Sequence, residues 1–373
     1  MTDDVLDARA LGRATLARQL LLRRSELSPL DAVRHLVGMQ AQVPLNPYLG
    51  LWSRLDGFRP DALSRLLLDR LVVRIVVMRG TIHLVTADDC LLLRPLVQPV
   101  LDAELARHPD FGPALRGVDL EPVLAFARPL LAERARTGRE LRAAMAARFP
   151  DLDAAALAYA CRNLLAFVQV PPRGVWGRSA QVTSTTAESW LGRPLVAEPS
   201  IDEVVARYLG AFGPATVADV ASWCRLTGLR EVLERLRAGL RTFRDERGRE
   251  LFDLPDAPRP DPDTPAPSRI LPEYDNVMLS HADRSRIVPA AVRERDLSAV
   301  GRIQGSVLSD GWLCGVWRVD IDPATGARTL TVTHVVPLGA DAVDSLTEEG
   351  LAMLRFQETD TDVIHDVRFV AAG

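Results

Sequence analysis

The stretch Leu71-Val72-Val73-Arg74-Ile75-Val76-Val77-Met78-Arg79-Gly80-Thr81-Ile82-His83-Leu84-Val85-Thr86 reads as two β-rich runs, residues 71–78 and 81–86, folded back on each other at Arg79-Gly80. The chain before it has helical periodicity. Residues 7–23 carry Leu11, Leu16, Leu20 and Leu21 at helical spacing, and further helices are expected at 29–37, 47–55 and 60–68. Helices followed by a hairpin are the outline of a winged helix.

The same order recurs twice. A second unit has helices at 88–107 and 121–136 and a helix–turn–helix pair at 137–149 and 152–166. Its runs at 167–170 and 179–184 flank Pro171-Pro172-Arg173-Gly174-Val175-Trp176-Gly177-Arg178, a candidate wing. A third unit has helices at 201–212, 217–225 and 229–240, then a hairpin around Asp245-Glu246-Arg247-Gly248. Seven prolines between Leu254 and Pro272 mark an extended strap. Beyond it, runs at 303–308, 313–321, 328–336 and 362–369 read as strands, with a helix at 341–356, and a small barrel or curled sheet is expected. The expected division is 1–86, 87–199 and 200–254 for the three units, 255–299 for the strap and 300–373 for the β-rich part. The fold class is thus α+β and mainly helical, with a C-terminal β-barrel-like domain.

Before the first hairpin lies Gly38-Met39-Gln40-Ala41-Gln42-Val43-Pro44. Gly38 suits the end of the helix at 29–37, and Pro44 delays the next one. Gln40 and Gln42 are expected on a short extended piece, where residues two apart face one side. Each amide offers an acceptor oxygen and two donor hydrogens, so the pair can grip a water or a sugar without ionising.

The composition bounds the chemistry. A chain of 373 residues that is 47% hydrophobic has room for two or three packed domains. No apolar run reaches membrane-spanning length, and the acidic Met1-Thr2-Asp3-Asp4 start lacks a signal-peptide pattern. Cys90, Cys161, Cys224 and Cys314 are far apart, with no CxxC, and are expected as reduced thiols of a cytoplasmic protein with no metal site. All 45 basic residues are arginine. Without a side-chain amine, lysine-dependent Schiff-base chemistry is excluded, and so is a P-loop. The net charge is −4, but residues 1–80 carry +4 and the remainder −8. A basic N-terminal surface is compatible with one DNA-facing side.

The chain resembles the AlkZ/YcaQ-like DNA glycosylases, a family of winged-helix repair and self-resistance enzymes. The resemblance is carried by 37–42, by Asn46-Pro47-Tyr48-Leu49-Gly50-Leu51-Trp52-Ser53-Arg54-Leu55, and by 79–85 and 212–219. It extends to Leu271-Pro272-Glu273-Tyr274-Asp275 and His281-Ala282-Asp283-Arg284-Ser285-Arg286. The glutamine–apolar–glutamine form is like the AlkZ branch; the YcaQ branch has aspartate where Gln42 stands. The resemblance implies tandem winged helices around a DNA channel and hydrolysis of the N-glycosidic bond of N7-alkylated purines, in some members within interstrand crosslinks. It also implies Gln40 and Gln42 as the catalytic pair, no cofactor, and a nucleoid-associated monomer whose partner is double-stranded DNA carrying such lesions. Arg173, Trp176, Arg178, Asn46 and Arg54 are the candidate DNA contacts, although Trp176 could equally pack its hairpin.

The residues fit that chemistry. Alkylation at N7 makes the purine a cationic leaving group, so strong general-acid catalysis is less necessary. What remains is to place a water below C1′ and to stabilise an oxocarbenium-like sugar, and amide oxygens can orient such a water. His83 lies in an apolar run and reads as a core histidine. The competing readings are a winged-helix regulator without catalysis and a protein that binds a genotoxin without turnover.

Overall fold

A computed structural model describes residues 5–294, 304–358 and 363–372. The expected strand starts at Ile303 and Asp362 and the end of the strap lie outside the described residues. Helices Ala8–Arg18, Pro29–His35, Asn46–Trp52 and Pro60–Leu68 precede strands Val72–Val76 and Ile82–Thr86. Local chemistry sets the ends. The Asp7 and Ser28 side chains accept the backbone N–H groups of Ala10 and Asp31. Pro29 and Pro60 open their helices, where no N–H is needed. The turn between the strands uses two left-handed residues, Arg79 at φ 59° and Gly80 at φ 69°.

In the second unit, Glu121–Glu133, Gly138–Arg148 and Ala154–Leu164 lead to strands Phe167–Gln169 and Thr183–Thr186. Thr137 and Glu140 form a reciprocal cap on the middle helix. The single helix expected at 88–107 is two, Ala87–Leu96 and Gln98–Arg107. Pro99 has no N–H to give Pro95, and its ring would clash with that carbonyl. The third unit has Ile201–Phe212, Val217–Cys224 and Leu229–Leu236, followed by Arg241–Asp245 and Glu250–Asp253. Strand Val5–Leu6 pairs in parallel with Arg241–Asp245.

The first two wings are one sheet. Its strand order is Met39–Gln40, Ile82–Thr86, Val72–Val76, Phe167–Gln169, Thr183–Thr186, Arg136–Thr137. The junction is antiparallel, with Arg74 opposite Gln169 and Ile75 opposite Val168. Nothing in the hydrophobic pattern of either hairpin marked this fusion.

The expected C-terminal barrel is not formed. The strands Arg269–Leu271, Gly305–Ser309, Trp312–Ile321, Arg328–His334 and His365–Ala371 make a five-stranded sheet in that order, and its first and last strands do not pair with each other. The last two strands are parallel because helix Ala340–Gln357 crosses between them. That helix packs Leu346, Met353 and Leu354 with Ile270, Val307, Leu330 and Val332. A helix therefore covers the apolar face that closure into a barrel would otherwise have buried. The strap contributes the first strand, Arg269–Leu271, so it is part of this sheet as well as a connection.

Buried arginine–carboxylate pairs tie the parts together. Arg18 donates to both oxygens of Asp253, at 2.5 and 2.8 Å. Arg54 donates to both oxygens of Asp275, at 2.8 Å each, with both side chains buried. Arg54, expected at the DNA surface, instead holds the first unit to the strap. Its neighbours Leu51 and Leu55 bury on the same short segment and carry it inward. Replacing Arg54 with alanine would strand the Asp275 carboxylate without its cation. A loss of roughly 3–5 kcal/mol is expected. A fall in the urea midpoint at unchanged m-value would show it, and a midpoint within error of the wild type would contradict it.

Candidate active site

After helix Pro29–His35, Val37 at φ 53° and Gly38 at φ 92° reverse the chain. A Cβ at Gly38 would lie 2.7 Å from Val85 Cγ1, so only glycine fits where this turn crosses the sheet. The chain then runs along the sheet edge, Met39 opposite Leu84 and Gln40 opposite His83. The Ala41 N–H donates to the Ile82 carbonyl at 2.8 Å, and Arg74 Nη2 donates to the Ala41 carbonyl at 2.7 Å. Met39 and Ala41 are buried in one apolar cluster. That alternation turns the Gln40 side chain to the other side of the strand, and Gln42 follows in a bend just beyond the strand's end.

The two amides stand in different environments. Gln42 is exposed and lines a groove of about 370 Å³ with Ile82, Arg136, Arg162, Gln169 and Ser184. Among the described residues its Oε1 receives only the Ile82 N–H, at 3.4 Å, which leaves most of its acceptor capacity free of them. Gln40 is only 8% exposed. Its Oε1 accepts Arg79 Nη2 at 2.8 Å, and Arg79 Nη1 donates to the Trp223 carbonyl at 3.1 Å.

His83 completes this inner cluster. Its Nδ1 lies 2.9 Å from the Thr81 carbonyl, which can only accept, so Nδ1 carries the proton. Nε2 is then an acceptor, 3.3 Å from Arg79 Nη2. Burial, followed by the Arg79 charge, lowers the His83 pKa to about 3, so the ring is neutral at physiological pH. Burial and Arg225 lower Arg79 itself to about 10, and it stays charged there. Arg74 is buried beneath the same motif. Burial, with Arg173 second, lowers its pKa to about 10, and its Nε and Nη1 have no partner among the described residues.

The other expected contacts divide. Arg178 is exposed at the candidate wing. Arg173 is half-buried and donates to the Ala180 carbonyl at 3.0 Å. Asn46 Nδ2 donates to the Glu273 carbonyl at 2.8 Å. Trp176 packs between Tyr48 and Phe356, with ring centroids at 5.0 and 5.5 Å, and its backbone N–H meets the Tyr48 hydroxyl. Packing is the role its contacts define. Helix Ala154–Leu164, at the position of a recognition helix, is enclosed by Gln98–Arg107, Phe111–Leu115, Glu121–Glu133 and Gly138–Arg148. Its Ala158 and Arg162, one turn apart, line the groove.

Sequence reading missed Arg74, Arg79, Arg136 and Arg162 as parts of this site. Arg74 offered a signal: a single cation within Val72-Val73-Arg74-Ile75-Val76 has to find a polar partner when that strand is buried. Arg136 and Arg162 offered none, since they reach the groove only through the fused sheet. Among the described residues no cluster of metal-ligating side chains is present, and all four cysteines are buried and unpaired.

Helix–turn–helix units whose wings join over an arginine-lined groove define a DNA-binding class of protein. The chain belongs to the AlkZ-like DNA glycosylase family, whose model matches residues 33–356. It is 27% identical over 330 residues to an interstrand DNA cross-link repair glycosylase of Streptomyces sahachiroi, covering 82% of this chain and 85% of that one. The solved structure of Streptomyces sahachiroi DNA glycosylase AlkZ superposes with a TM-score of 0.77 at 22% identity, over 98% of this chain and 100% of that chain.

Two measurements check this geometry. Unfolded, His83 takes up a proton near pH 6.5; folded, only near 3. Between these values the unfolded chain binds more protons, so stability falls as pH drops through that window, by about 1.4 kcal/mol per pH unit for one histidine. His83→Gln is expected to make the fall shallower by about that slope, read from urea midpoints at successive pH values. His281, also lowered by burial, leaves a residual slope in the variant. An identical slope in wild type and variant would mean that His83 is not held neutral. At the wing, Arg178→Ala is expected to reduce the log–log salt dependence of DNA binding by about 0.9 if one phosphate contact is lost. An unchanged slope would take Arg178 off the DNA surface.

Proposed function

We propose that this DNA glycosylase hydrolyses the N-glycosidic bond of N7-alkylated purines, bulky adducts and interstrand crosslinks included, with Gln42 orienting the attacking water. The observation that carries this reading is the Gln42 amide, exposed in an arginine-lined groove with its oxygen nearly free. Family membership removes the reading of a non-catalytic regulator.

The cationic lesion base leaves as a neutral purine, and positive charge moves to the sugar. Gln42 Oε1 accepts a hydrogen bond from the water and aims its lone pair at C1′. An amide is too weak a base to take the proton early. It need not do so, because the proton becomes acidic only as the C–O bond forms and is then released to bulk water. Arg136 and Arg162 supply fixed positive charge along the groove for the phosphates on either side of the lesion. Among the described residues no strand pairs on the outer side of Met39–Gln40, just before Gln42, which leaves room for an adduct that a closed base pocket would reject. The absence of lysine supports a monofunctional reaction that ends at an intact abasic strand.

The test is single-turnover release of N7-methylguanine from a duplex. Gln42→Ala is expected to slow release at least about tenfold, equivalent to about 1.4 kcal/mol of transition-state stabilisation. Affinity for undamaged DNA should change little, since a neutral amide displaces no counterions. A folded Gln42→Ala protein that releases the base at the wild-type rate would overturn the assignment of Gln42.

A further inference from the structure

The inner cluster fixes which end of the Gln40 amide is available. A guanidinium has only donors, so the group facing Arg79 Nη2 at 2.8 Å has to be the Gln40 oxygen. The other acceptor on that nitrogen, His83 Nε2, is an acceptor because its Nδ1 proton is committed to the Thr81 carbonyl. Neither partner competes by changing charge state near neutral pH. Arg79 is itself held from two directions. The left-handed turn fixes its backbone, and the Trp223 carbonyl receives Nη1. Among the described residues Arg79 has no carboxylate partner, and the Gln40 Nε2 group has no hydrogen-bond partner. A neutral amide is thus gripped at its oxygen by a cation, and its two N–H groups are left over. Hydrogen bonding to a cation polarises the amide and strengthens those N–H groups as donors.

We propose that Arg79 is a positioning residue that locks Gln40 as a hydrogen-bond donor to an oxygen of the damaged nucleotide, its phosphate or its sugar, while Gln42 acts as the acceptor for water. The two glutamines of the motif then have opposite polarity and are not interchangeable. This rests on the proposed function, and it goes beyond it by assigning each amide an end. A purely structural Arg79, one that only pins the turn to Trp223, would leave the chemistry of Gln40 indifferent to which end is free.

The discriminating variant is Gln40→Glu. A carboxylate keeps the contact to Arg79, now charge-assisted, and so preserves the architecture while removing both N–H donors. Base release from N7-methylguanine duplex under single-turnover conditions is expected to fall at least tenfold, with thermal stability at or above wild type. Arg79→Met should fall comparably, and combining it with Gln40→Ala should add less than the product of the two losses, because both remove one interaction. Arg79→Lys, which restores a donor to the Gln40 oxygen, should recover most of the rate. Where Arg79→Met does not fold, Gln40→Glu decides alone. Wild-type release by Gln40→Glu would mean that the oxygen end does the chemistry and would overturn the inference. Wild-type release by Arg79→Met would remove the positioning role. Either failure alongside a slowed Gln42→Ala leaves the proposed function standing; a wild-type rate for Gln42→Ala would instead remove its account of Gln42.

Discussion

Two residue pairs, Arg74 with Gln169 and Ile75 with Val168, join the wing of the first unit to the wing of the second. The geometry of the site depends on this junction. It makes one six-stranded sheet of two hairpins and sets Gln42 and Gln169 on the same groove. Within the first unit, Met39 and Arg74 both pair with Leu84, which places the Arg74 guanidinium where it reaches the Ala41 carbonyl between the two glutamines. Strand pairing is specified in steps of two residues, so a slip by one would turn each inward side chain out. The groove therefore inherits its precision from backbone hydrogen bonds, which are stiffer than any loop could be.

Around this sheet, arginine does work that aliphatic packing does elsewhere. Arg18 binds Asp253 and Arg54 binds Asp275 through two parallel hydrogen bonds each, all four side chains being buried. A fork against a carboxylate fixes orientation as well as distance. Such pairs contribute little net stability compared with apolar packing, but losing one partner is costly. They join segments far apart in sequence, helix Ala8–Arg18 to the third unit and the segment after Asn46–Trp52 to the strap. The inner site follows a different rule: among the described residues Arg79 meets only neutral acceptors.

Much of the fold was legible because helices and hairpins are local. Periodicity, capping residues and the Arg79-Gly80 turn placed the elements of the three units to within a few residues. The sheet fusion was not legible, since pairing between Val72–Val76 and Phe167–Gln169 leaves no trace in either strand's own alternation. The barrel expectation failed for a related reason. Alternating strands state that one face is apolar, and do not state whether a helix or a second curl of sheet will cover it. For the site, the Gln40–Gln42 spacing singled out two neighbouring amides, of which only Gln40 lies on the strand. It could not reveal that Gln40 is capped by Arg79 while Gln42 is open, because that difference arises at a turn 39 residues away. Arg54 misled for the opposite reason: a charged residue beside a functional motif suggested the surface, and its carboxylate partner lay 221 residues downstream.

The cations along the groove, Arg136 and Arg162, have a consequence beyond their charge. Base excision leaves a sugar that opens to an aldehyde, and aldehydes condense with nearby primary amines. Guanidinium is protonated and delocalised, and it does not condense in that way at neutral pH. A lysine-lined groove would hold its own product as a covalent conjugate until hydrolysis freed it. An arginine-lined one grips the same phosphates without offering the aldehyde a side-chain amine, so the enzyme can leave the lesion it has just created intact for the next activity in line.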